Sequence, residues 1–460
     1  VQTSQRVTAL DALRGLSVLA MMLSGVIPFG PLPGWMYHAQ EPPPTHQYNP
    51  NLPGVTWVDL VFPTFLFAMG TAIPFALARR IKNEEPWWKL ALGALSRGGL
   101  LIAFAIFDQH VRPYSMAESP SPAIWATGLG AFFIGLLMFG RFPYRMPQWA
   151  EVAVKVLGWG LAFWLLATLR YPDGPGKTTG FNLGRNDIII MVLAWCAAIG
   201  TLVWLATRNS ILGRLGVIFA IFCWRVGATV EGSLANQAFY YSPLSWAPRP
   251  EFSHYLIIVL AGTIIGDRLA QPATNETTDR WPSWRYAVLC LAAFLAVPWT
   301  LYVHYQRLPS TWLLPIALLA AIVLKPKNDQ ESKIHDTVTW SLAWLLFGTL
   351  IEPFQGGIKK DPVTLSFMMT MTGLAGLLLT SLLVLPRRWP VRLVEDVGAN
   401  PMLAYLGVTN LAGPIWALVF PLVVSGPLNV PQLVWAAFGQ TLLLAILVSG
   451  FTKLRIFFRT

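Results

Sequence analysis

Apolar runs of about twenty residues recur from one end of this chain to the other, and each is long enough to cross a bilayer as an α-helix. Only 12% of the 460 residues are charged and 55% are hydrophobic. A soluble fold of this length would lack the polar side chains needed to cover its surface. The runs do not alternate apolar with polar residues, as the strands of a membrane barrel do. The expectation is therefore an all-α, polytopic integral membrane protein. Helices are expected near 8–28, 57–80, 88–108, 121–140, 150–170, 187–206, 211–229, 253–270, 286–304, 311–325, 337–354, 363–386, 400–424 and 430–452. That makes about fourteen crossings. No convincing repeat and no long linker interrupts them, so residues 1–460 read as one membrane domain.

Charge orients this array. With the N-terminus inside, alternate loops place 24 of the 33 Lys and Arg residues on the inner side. The remaining nine fall on the outer side or in the membrane, and so strong a bias puts both termini in the cytoplasm. The formal charge of +11 would point to nucleic acid in a soluble protein; here the loop bias explains it, and membrane lipids are the expected surroundings. The first apolar run holds Asp11 and Arg14 and is followed by no small-residue cleavage site, which argues against a cleaved signal peptide. Cys196, Cys223 and Cys290 lie within apolar runs without metal-ligand spacing and read as core side chains, so no metal is expected.

A few polar residues stand out against this background. Asp11 and Arg14 share a face of the first helix, either as a local ion pair anchoring it or as the wall of a polar pocket. Ser24, higher on that helix, is a packing serine or part of the same pocket. The loop that follows, PFGPLPGWMYHAQEPPPTHQYNPNLPGVT, carries eight prolines and no Lys or Arg, and prolines fix backbone angles. Its two histidines, His38 and His46, are either solvated or held by this stiff frame as a general base or nucleophile. Asp59, near the start of the second helix, caps that helix or orients a nearby imidazole. Lys359, Lys360 and Asp361 form the most charged outer patch, a solvated loop or a site for an anionic or sugar ligand. Asn400, just before Pro401, caps a helix or reaches a ligand. The other four histidines read as interfacial, and Arg225 as paired with Glu231 or extended to the membrane surface. No phosphate-binding glycine loop is present.

At these residues the chain resembles a known family. LDALRG, a loop containing YHA and then DLVFPTFLFAMGTAI are similar to the catalytic core of heparan-α-glucosaminide N-acetyltransferase and its bacterial NagX-like relatives. The resemblance covers about residues 6–110 and returns at KKDPVTLSFMMTMTG and GANPMLAYLG. It implies a transmembrane acyltransferase of the bacterial inner membrane. Such an enzyme takes acetyl from cytosolic acetyl-CoA, as co-substrate, and delivers it to an amino sugar or glycan acceptor at the outer face. The family's acetyl-transfer histidine falls on His38. The Trp-x-Gly that follows it in the family is absent here, which keeps His46 as a second candidate. Asp11, Arg14, Asp59 and Asn400 match the family. Its first-helix Asn aligns with Gly25, leaving Ser24 as a substitute. The implied arrangement puts the CoA nucleotide among Arg14 and neighbouring basic residues, with pantetheine threading towards His38. The family core has about ten helices, so the pairs near 187–229 and 311–354 read as insertions; a homodimer is compatible with it. Two other readings remain: a secondary transporter of amino sugars or muropeptides, which fourteen helices suit equally, and a non-catalytic relative that only binds a ligand.

Overall fold

Helix dominates because, within a bilayer, backbone N–H and C=O groups must be satisfied inside their own segment. The computed structural model describes residues 8–143, 147–174, 176–272, 279–308, 325–386, 388–423 and 428–458. Its principal helices are α1 (Thr8–Val26), α2 (Trp57–Lys82), α3 (Trp87–Val111), α4 (Pro122–Phe139), α5 (Gln148–Thr168), α6 (Ile188–Thr207) and α7 (Ile211–Gly227). They continue as α8 (Leu256–Ala270), α9 (Ser283–Gln306), α10 (Asp329–Ile351), α11 (Leu365–Val384), α12 (Val391–Gly398), α13 (Pro401–Gly407), α14 (Gly413–Val423) and α15 (Val430–Lys453).

Among the described residues, eleven segments are long and apolar enough to cross a membrane, so the protein is an all-α polytopic membrane protein. Thirteen of the fourteen expected segments are helical, α7 and α10 included. The expected helix at 311–325 lies, but for Lys325, outside the described residues. The stretch expected as one helix over 400–424 is more broken than that. A separate amphipathic helix, α12, precedes it, and the chain restarts at Pro401 and passes through a π-helical turn at Val408–Ala412 before α14. Proline at the first helical position needs no N–H partner, which is why the restart falls there.

Helices α2, α8 and α11 form the centre, and glycines set how closely they approach. Gly70 and Gly266 let α2 and α8 meet backbone to backbone, each against a carbonyl of the other helix. Gly15 and Gly398 do the same for α1 and α12. A β-carbon on Gly398 would overlap the Asp11 carbonyl oxygen, so Gly398→Val must push α12 off α1. Such overpacking costs about 1–3 kcal/mol, and a backbone collision belongs at the upper end. The thermal midpoint in detergent should fall clearly, whereas Gly99→Val, at a position with nothing within 4 Å, should leave it close to wild type.

His110, His254 and His304 stand at helix ends, as expected, and are buried there. Arg225 does not pair with Glu231: it donates to the Val363 carbonyl at 3.2 Å and lies over the Phe239 ring, fastening α7 to the loop before α11.

Candidate active site

The loop between α1 and α2 is held by its own polar groups. The Tyr37 hydroxyl donates to the Pro28 carbonyl at 2.7 Å and accepts from the Gly30 and Leu32 amides. Thr56, the N-cap of α2, donates its hydroxyl to the Tyr37 carbonyl at 2.7 Å. These bonds deliver the next residue, His38, to the start of α2, where Asp59 occupies the third helical position.

Asp59 serves both functions that its position allows. One oxygen accepts from the Thr56 amide at 2.9 Å, the backbone half of a capping box, and from the Ala39 amide at 3.3 Å. The other oxygen stands 2.6 Å from His38 Nδ1. A carboxylate can only accept, so Nδ1 carries the proton and Nε2 presents its lone pair. Asp59 is buried, while a third of the His38 side chain is open to a cavity.

That cavity, about 170 Å³, lies between α1, α2, α6 and α13. Its few polar groups are Ser17, Ser24, His38, Lys360 and Tyr405; the rest of the wall is apolar. A second cavity of about 470 Å³ continues towards the face where α1 begins, and its mouth carries Arg14, Arg80 and Arg97. The two adjoin at Phe65, Leu193, Pro401 and Met402, which line both; we refer to the pair as the slot and to this apolar boundary as its neck. The break between α12 and α13 borders this slot, in keeping with irregular backbone being tolerated in membranes where it lines a cavity. Along α2, Asp59 and Arg80 are separated by roughly 30 Å of helix, so the slot runs most of the way through the membrane.

The candidate residues divide as follows. His38, Asp59, Ser24 and Lys360 meet at one end of the slot, and Arg14 lines the other, bonded at 3.3 Å to the buried Asp11. Ser24 donates to the Met21 carbonyl. His46 lies away from the cavity: its ring packs 4.0 Å from Phe29 and against the edge of Tyr37, and its backbone takes a left-handed turn at φ 50°. Asn400 does not reach the slot either. Its amide is occupied by the C-terminal segment, donating to the Ile456 carbonyl and accepting from the Phe458 amide, while Ala399 and Pro401 beside it line the wall. Lys359 contributes a backbone bond to Thr364, and Asp361 is exposed at the loop tip, bonded through its backbone to Gln40.

One polar group escaped the sequence reading. Arg112, just beyond α3, bridges Asp108 at 2.5 Å and Asp187, and the hydroxyl of Tyr405 donates to Asp187 at 2.8 Å. Asp187 also caps α6. The network fixes the Tyr405 ring in the cavity wall. Its signal was available: three ionisable residues stand at the ends of two apolar runs, where such residues face a partner or a cavity.

Fold and site together define a polytopic membrane protein with a His–Asp pair at one end of a basic-mouthed intramembrane slot. Residues 6–269 match the family described as "Domain of unknown function (DUF5009)", and the chain belongs to that family. No curated protein matches it. The matched region supplies His38, Asp59, Arg14 and α6, while Lys360, Met402 and Tyr405 come from beyond it.

Proposed function

We propose that this protein is a transmembrane acyltransferase. It moves an acetyl group from acetyl-CoA, bound at the Arg14 mouth, to an amino sugar or glycan acceptor at the His38 end. The observation that carries this reading is the slot itself. A nucleotide's phosphates suit the Arg14, Arg80 and Arg97 mouth, and a thin, flexible arm suits the apolar neck. The thioester then meets an imidazole whose Nδ1 is held by a carboxylate. His38 Nε2 either accepts the acetyl group or takes the acceptor's proton. Asp59 supports the imidazolium formed in both routes. An apolar wall keeps water from the thioester. The resemblance at LDALRG, YHA and DLVFP points to the same chemistry and to a bacterial inner membrane, and the excess of Lys and Arg in alternate loops supports a cytoplasmic side for the Arg14 mouth and both termini.

The test is purified protein in vesicles, given labelled acetyl-CoA on the Arg14 side and a panel of amino sugars on the other. Labelled sugar should appear on the far side. No transfer to any acceptor would sink the reading. One observation favours a second reading: the break between α12 and α13 beside a membrane cavity is a transporter feature. Sugar counterflow without acetyl-CoA would establish that alternative.

A further inference from the structure

The His38 end of the slot holds a cation that arrives from far along the chain. Lys360 Nζ lies 3.1 Å from His38 Nδ1 and 3.3 Å from Nε2, and 3.8 Å from Asp59 Oδ1. Were Lys360 there only to balance Asp59, it would be expected to sit closer to the carboxylate than to the ring. Its position is imposed by a clamp between two loops. Asp361 N donates to Gln40 Oε1 at 2.9 Å, and Gln40 Nε2 and the Tyr48 hydroxyl both donate back to the Asp361 carbonyl. Gly54 N bonds the Ile358 carbonyl at 2.8 Å. The segment carrying Lys360 is thereby fastened to the segment carrying His38, on both sides of the lysine.

Resting on the acyltransferase reading, we propose that Lys360 is a third catalytic residue: its ammonium stabilises the negative charge that develops on the thioester carbonyl oxygen beside His38 Nε2. The chemistry balances with the groups at hand. The acceptor's lone pair bonds to the carbonyl carbon, its proton passes to Nε2, and the carbonyl π pair moves to oxygen, facing Lys360. Collapse of that oxyanion breaks the C–S bond, and the proton on Nε2 goes to the departing thiolate. If His38 instead carries the acetyl group, the same oxygen becomes charged twice, beside the same lysine. Fixed donors aimed at such an oxygen contribute about 10²–10³ in kcat.

The charged and titratable groups that act on Lys360 are His38, Asp59, Glu41 and Asp361. Although 39% of its side chain is exposed, burial of the rest lowers its pKa below the ordinary lysine value, against the pull of Asp59, Glu41 and Asp361. The ammonium is therefore present at low pH and lost sooner than in a free lysine as pH rises. Activity should decline on the alkaline side below the ordinary lysine range.

Steady-state transfer from acetyl-CoA to glucosamine, measured against pH for wild type, Lys360→Met and Lys360→Arg, tests this. Lys360→Met should lose about 10²–10³ in kcat with little change in KM for acetyl-CoA. Lys360→Arg, which keeps its charge at every accessible pH, should regain part of that activity and move the alkaline decline upwards. Lys360→Met as active as wild type, or an alkaline limb unmoved by arginine, overturns the role of Lys360 alone. Absence of transfer by the wild type to glucosamine and to every other amino sugar of the panel overturns the acyltransferase reading and the lysine's role with it.

Discussion

Replacing His38 with alanine lowers acetyl transfer by about 10²–10⁴-fold, the range in which a positioned acid–base group contributes. Replacing His46 leaves the transfer rate close to wild type. The two histidines are eight residues apart in one stiff loop, yet their surroundings differ in kind. His38 has a carboxylate at 2.6 Å on Nδ1 and a cavity on the other side of its ring. His46 is wedged between Phe29 and Tyr37, with Nδ1 turned to the Glu41 carbonyl at 3.2 Å. Its loss should appear as reduced stability of the loop, roughly the 0.5–1.5 kcal/mol of an aromatic contact, and not as lost chemistry. Parallel rates and thermal midpoints for the two alanine variants separate these outcomes. Full activity in His38→Ala with loss in His46→Ala would reverse the assignment.

Sequence and structure agree where the physics is local. A bilayer-length apolar run can hardly be anything but a helix, so the helices were legible from hydropathy alone, and the proximity of Asp11 and Arg14 followed from their spacing of three. Asp59 shows how two readings of one residue merge. Capping and imidazole orientation looked like alternatives, but a carboxylate has two oxygens and the fold uses one for each. What was not legible depends on chain closure. Lys360 stands 322 residues from His38, and no pattern in GGIKKDPVT says which of two adjacent lysines turns inward. Asn400 was read as capping a helix or reaching a ligand; it holds the N-cap position of α13, but its side chain makes no capping bond and lines neither cavity. That its amide binds Ile456 and Phe458 follows only from where the C-terminus returns. The charged cluster at Arg112 left a signal in the sequence, ionisable residues at the ends of two apolar runs, but not the identity of the partners. Asp108 and Asp187 belong to different runs and acquire meaning only once α3 and α6 pack together.

Leu193→Trp should block transfer while leaving acetyl-CoA bound. Leu193 is one of the four side chains common to both cavities, so it stands at the apolar boundary between them. Arg14, Arg80 and Arg97 lie on the mouth side of it and His38 on the other. An indole in place of the isobutyl group fills space that the thioester arm must cross, without touching the cations that would hold the nucleotide. The transfer rate is therefore expected to drop by at least about 10²-fold, the cost of misplacing reacting groups. Affinity for CoA, read by calorimetry, should stay within a few-fold of wild type. Leu193→Met, which conserves volume, serves as the folding control and should keep most activity. The pair of readouts discriminates more sharply than either alone. Lost transfer with retained binding requires donor and imidazole to be joined through the neck. Undiminished transfer in Leu193→Trp would mean that the acyl group reaches His38 by another path, and the continuity of the two cavities would then have no part in the reaction.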